Sequence, residues 1–249
     1  MRDPMTIRDN HTGIAISPLM AQEMLSDAIE LSPEPRLDGL PLDGVRGSYV
    51  MAAKPAGTMP PPAGIKEAAV AALKSIQGEN AAVLLDALGA RLAFERTGTR
   101  LYEAMLTKAR AETPVKGGPT VPELMEIWND ELRHFQLLED TIERLGGDPT
   151  AITPTANVEA VASMGAIQVL TDPRMGVRES LHAVLLIELA DRDSWEMLIR
   201  TAEALGQDEL ADSFAECLSA EERHLGSVRS WLFAMNELAA TGKTIAAAE

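Results

Sequence analysis

The sequence predicts an all-α protein built on a four-helix bundle, with two antiparallel helical hairpins joined by a long crossover. Three observations predict it. Helix-favouring Ala, Leu, Met, Glu and Arg are plentiful, aromatics make up only 4% of the chain, and no alternating Val/Ile/Thr runs occur. Four apolar-periodic stretches, each with room for roughly 25–33 residues or roughly 40–50 Å of helix, are separated by glycine and proline stops. The connections between them run short, long, short, which pairs the helices as hairpins.

Residues 1–63 read as a Pro-rich N-terminal extension and residues 64–249 as the bundle domain. Prolines recur through the first segment, up to Met59-Pro60-Pro61-Pro62, and rule out long helices. A short amphipathic helix is expected over Pro18–Glu30, with Leu19, Met24, Leu25, Ala28 and Ile29 as its apolar set; the remainder is expected to be extended or polyproline-like. Ile65–Ile76 reads as a helix stopped by Gly78.

The first main helix starts at Asn80 and closes near Ala111, before Thr113-Pro114 and Gly117-Gly118-Pro119. The second starts beside Pro122-Glu123 and stops at Gly146-Gly147-Asp148-Pro149. Residues 148–172 form the crossover, with a helix of its own over Asn157–Leu170. Asp172-Pro173 reads as the cap and first residue of the third main helix, which ends at Gly206; the fourth runs from Asp208 to Thr241-Gly242.

Glu131-Leu132-Arg133-His134 on the second helix and Glu221-Glu222-Arg223-His224 on the fourth each place a carboxylate and an imidazole three residues apart, on one helix face. Glu95 and Glu188 lie within the apolar stripes of the first and third helices. Every main helix therefore carries a carboxylate on the face that should be buried. Burying ionised carboxylates is costly without compensation. Four glutamates bring four negative charges, two divalent cations balance them, and two neutral histidines complete the shell. Carboxylate oxygens with one imidazole per metal suit iron or manganese better than structural zinc, which favours thiolates. The halves also match each other: Tyr102 follows Glu95 by seven residues, Trp195 follows Glu188 by seven, and both paired motifs read Glu-x-Arg-His.

The order Glu95 … Glu131-x-x-His134 … Glu188 … Glu221-x-x-His224 resembles the ferritin-like di-metal carboxylate superfamily: rubrerythrins, bacterioferritins and manganese catalases. The resemblance covers residues from about 80 to 238. It implies a ferritin-like bundle, terminal or bridging roles for Glu95 and Glu188, paired ligation by Glu131, His134, Glu221 and His224, and a place near the site for Tyr102. It implies two iron ions (or two manganese ions) and an oxidoreductase acting on hydrogen peroxide or dioxygen, of peroxidase or catalase type ahead of ferroxidase. A peroxidase would need an outside reductant, since a single cysteine, Cys217, leaves no rubredoxin-like four-cysteine module.

Each signal also has a plainer reading. Tyr102 is either a hydrogen-bond partner of a ligand or core packing, and Trp195 reads as core. Cys217 reads as a small buried residue. Arg133 and Arg223 pair with ligand or neighbouring carboxylates or are salt-bridged at the surface, and Asp191 reads as surface. His182, six positions before Glu188, faces away from the ligands, and His11 lies in the extension. The whole chain has a second reading as a non-catalytic helical binding or assembly protein, with a structural or vestigial metal site and the extension used for association.

The formal net charge of −16, with 22 Lys and Arg against 38 Asp and Glu, leaves no basic face for nucleic acid. No apolar run is long enough for a membrane span or a signal peptide, so a cytoplasmic location with no membrane partner is expected, and a homodimer is the expected assembly.

Overall fold

The computed structural model describes residues 40–53 and 79–241, together with positions 22, 23, 26, 27 and 57. The chain divides into two units, Met1–Pro55 and Ala56–Glu249.

In the first unit, helix α1 spans Leu40–Ala52. This corrects the expectation of extended chain there. Pro41 falls in the first turn, where its missing N–H is not needed, and no further proline follows until Pro55. Positions 22, 23, 26 and 27 are helical, within the stretch read as a helix over Pro18–Glu30. The helix expected over Ile65–Ile76 lies outside the described residues.

The second unit contains α2 (Glu79–Ala111), α3 (Val121–Arg144), α4 (Pro154–Ala162), α5 (Met164–Thr171), α6 (Val177–Ala204) and α7 (Asp208–Thr241). No strand occurs among the described residues. The start of α3 is set by a capping box: the Thr120 hydroxyl accepts from the Glu123 N–H while the Glu123 carboxylate accepts from the Thr120 N–H. Gly146 and Gly206, with φ of 80° and 67°, turn the chain out of α3 and α6 through left-handed conformations that other residues avoid.

The crossover differs from expectation in two places. It holds two short helices, because the Ser163 hydroxyl takes the Glu159 carbonyl (2.7 Å) and the chain re-aims there. The third main helix begins at Val177, not at Asp172-Pro173. Asp172 closes α5 and accepts from the Arg174 N–H (2.9 Å), while the freed N–H of Val177 donates to Glu112 at the end of α2 (3.0 Å). A carboxylate is favourable at that positive helix end.

Two apolar clusters fix the direction of each helix. One joins Leu84 and Leu92 of α2, Leu138 and Ile142 of α3, Trp195 of α6 and Phe214 of α7. The other joins Leu101 and Met105 of α2, Leu124 of α3, Leu181 and Val184 of α6, and Val228 and Trp231 of α7. Residue numbers thus run the same way in α2 and α7 and the opposite way in α3 and α6. The pairs α2–α3 and α6–α7 are antiparallel hairpins, α2 packs on α6, and α4 and α5 lie along α2. Asp86 of α2 pins the start of α4 by accepting from the backbone and hydroxyl of Thr155 at 2.9 and 2.6 Å. The layer between the two clusters is where charged and histidine side chains are buried. No helix among the described residues is long and apolar enough to cross a membrane.

Candidate metal centre

Helical periodicity carries four helices' polar residues to one level. α2 brings Arg91 and Glu95, α3 brings Asp130, Glu131 and His134, α6 brings Glu188 and Asp191, and α7 brings Glu221 and His224; all are buried. The six predicted ligands come together in two groups. Glu95, His134 and Glu221 form one, and Glu131, Glu188 and His224 the other, with the candidate ligand atoms of each group within 4.8 Å of one another. A third, overlapping set of Glu95, Glu131, Asp191 and Glu221 makes the two groups one continuous site. These carboxylates and imidazoles could hold a metal ion.

Glu221 spans the two groups. Its Oε1 lies 2.8 Å from His134 Nδ1 and its Oε2 lies 3.2 Å from His224 Nδ1. The first of these contacts is short but not aligned as a hydrogen bond, and both atoms lack a hydrogen-bond partner. So do Glu95 Oε2, Glu188 Oε2 and both oxygens of Glu131. Leaving buried acceptors unpaired costs about 1–3 kcal/mol each, more when charged. Metal bonds of about 2.1 Å at right angles hold donor atoms about 3 Å apart, close to the His134–Glu221 separation. The donor set therefore fits an ion between these atoms.

The outward atoms are held. The Tyr102 hydroxyl donates to Glu188 Oε1, and one nitrogen of Arg91 donates to both Glu95 Oε1 and Asp191 Oδ1. His224 Nε2 lies 3.0 Å from Asp130 Oδ2, and Asp130 is paired with Arg133. A partner on the outer nitrogen is what orients a ligating histidine.

Burial raises the pKa of Glu95, Glu131 and Glu188 well above the usual carboxylate range, and neighbouring carboxylates add to the rise. Burial likewise pushes Asp191 up to about 7 despite Arg91. For Glu221 burial is outweighed by the adjacent His134 and His224 imidazoles, which hold it at about 2. For His224 burial is outweighed by Glu131 and Glu221, which raise it to about 11. A bound dication would lower the pKa of the raised carboxylates and of His224.

Sequence reasoning missed three residues. Asp191, read as surface, is buried 1% exposed beside Arg91; its place one turn after Glu188 was the signal. Arg91 lies one turn before Glu95 on the same face, which was equally legible. Gly98 is the third: a Cβ there would collide with the Glu131 carboxylate. Its signal was a glycine in mid-helix, where it disfavours the helix, one turn from a ligand. Arg223 bonds only within its own helix to Ser219, and Arg133 is exposed. His182 is exposed, as expected, and Cys217 and Trp195 are buried in the core.

No family model, no curated protein and no solved structure matches this chain.

Proposed function

We propose that the bundle is ferritin-like and that its core holds two iron ions, or two manganese ions, in an oxidoreductase acting on hydrogen peroxide or dioxygen. The observation that carries this is the set of inward-facing donor atoms without partners on Glu95, Glu131, His134, Glu188 and Glu221, buried at one level of four helices. Arg91 and Asp191 cancel each other, so the four glutamates still leave the four negative charges that two divalent ions would balance. A dinuclear iron or manganese centre supplies two-electron transfer to or from peroxide or dioxygen.

The chain's own residues have defined tasks in this reading. Glu131, His134, Glu221 and His224 bind from one side of the bundle, and Glu95 and Glu188 from the other. Tyr102 keeps Glu188 from rotating by donating its hydroxyl hydrogen to Oε1. Asp130 fixes the His224 ring through Nε2. The apolar clusters above and below exclude water, so charges within the layer act at low dielectric.

Element analysis of protein purified without chelator tests this, with a Glu131→Ala/Glu221→Ala variant alongside. About two iron or manganese per chain, largely lost from the variant, is the expected result, followed by hydrogen peroxide consumption by the loaded protein. A folded chain that takes up neither Fe(II) nor Mn(II) sinks the proposal and leaves a helical scaffold.

A further inference from the structure

The two halves of the site are related by the repeated order of their ligands, yet their surroundings differ. Four residues before Glu95 stands Arg91; four before Glu188 stands the apolar Val184. Three after Glu95 stands Gly98; three after Glu188 stands Asp191. The outer oxygen of Glu188 is held by a neutral phenol, and that of Glu95 by a permanent cation. The Arg91 guanidinium cannot swing away. Its carbon lies 4.9 Å from the ring centroids of both Phe94 and Trp195, and the side chain is buried. Its Nε and Nη1 have no partner, so it is packing against the two rings that places this cation, with only one nitrogen making ion pairs.

Resting on the dinuclear reading above, we propose that Arg91 is a positioning residue that makes the two metal positions unequal. It holds back one oxygen of Glu95, so the Glu131–Glu188–His224 position fills first and the Glu95–His134–Glu221 position second. A fixed cation on a carboxylate competes directly with an incoming dication, whereas a hydroxyl donor withdraws much less charge. Asp191 is the residue that permits this, since it balances the arginine within a layer already rich in carboxylates.

The test is a titration of the full-length, metal-stripped protein with cobalt(II), followed by visible absorbance and calorimetry. The wild type should bind in two steps whose dissociation constants differ by tenfold or more, with Glu188→Ala removing the tighter step and Glu95→Ala the weaker. In Arg91→Gln the weaker step should tighten by about 10- to 100-fold, the range over which partners of ligands tune affinity, and merge with the first. Arg91→Lys, which keeps the charge, should retain two steps. If Arg91→Gln does not fold, Arg91→Gln/Asp191→Asn removes the pair together and should give the same merging. Two steps of equal affinity in the wild type, or unchanged separation in both neutral variants, would overturn the role of Arg91 while leaving a dinuclear site intact. Absence of any cobalt binding by folded wild type would overturn the dinuclear reading itself.

Discussion

Replacing Gly98 with alanine separates helix propensity from site geometry, because the two act in opposite directions. In a helix interior alanine is more favourable than glycine by about 1 kcal/mol. At position 98 the new Cβ would lie 3.1 Å from Glu131 Cδ and collide with Oε2 of the same carboxylate. Glu131 is fully buried among other side chains, so it cannot rotate aside freely. Overpacking of this kind costs about 1–3 kcal/mol. The net effect on the metal-free fold is then between about zero and 2 kcal/mol of destabilisation. Displacing Glu131 should also weaken metal binding by about 10- to 100-fold. Gly226, in α7, supplies the control: nothing lies within 4 Å of a Cβ there, so Gly226→Ala should stabilise by about 0.5–1 kcal/mol and leave metal binding alone. Denaturant unfolding in chelator and manganese titration of both variants make the comparison. A Gly98→Ala protein that gains the same stability as Gly226→Ala and binds manganese like the wild type would refute the contact between Gly98 and the Glu131 carboxylate.

Three further outcomes follow from the site. In metal-free protein Asp191 titrates at about 7 against an ordinary 3.8, so the folded state keeps a proton the unfolded chain has released, and stability falls by about 4 kcal/mol as pH rises across that interval. The His224 contribution is complete below 6.5 and is lost as pH climbs toward 11, in the same direction. Ligands must lose protons to bind metal, so the rise in Tm on adding Mn(II) should grow from pH 5 to 8 while the metal-free Tm drops; a metal-free Tm that climbs over this range contradicts the assignment. Tyr102→Phe leaves Glu188 Oε1 buried without a donor and should destabilise the fold by about 1–3 kcal/mol in urea unfolding, with no change counting against the hydrogen bond. Asp130→Ala removes the partner of His224 Nε2 and should lower manganese affinity about 10- to 100-fold, whereas Arg133→Ala, at an exposed position, should change it little.

The layer of carboxylates and imidazoles was legible because helix geometry makes it so. A Glu-x-x-His on an apolar stripe has one way to face the core, and Glu95, Glu131, His134, Glu188, Glu221 and His224 do converge. The hairpin order was legible from glycine and proline stops. What escaped was set by tertiary partners. Asp191 is an ordinary surface residue type until Arg91, 100 positions earlier, is seen to pair with it in the core. The α6 start moved from Asp172 to Val177 because Glu112 of another helix takes up the Val177 N–H, a contact invisible in local sequence. The α1 helix was hidden by counting prolines around it without weighing the proline-free run between Pro41 and Pro55.

The most direct measurement is an anomalous difference map from crystals of protein loaded with iron or manganese, collected at that metal's absorption edge. The account predicts two peaks about 3.5–4 Å apart, the spacing of two-metal sites, one among Glu95, His134 and Glu221 and the other among Glu131, Glu188 and His224. A map with no peak in this layer, its carboxylates paired only with Arg91, Tyr102 and the two histidines, would contradict it.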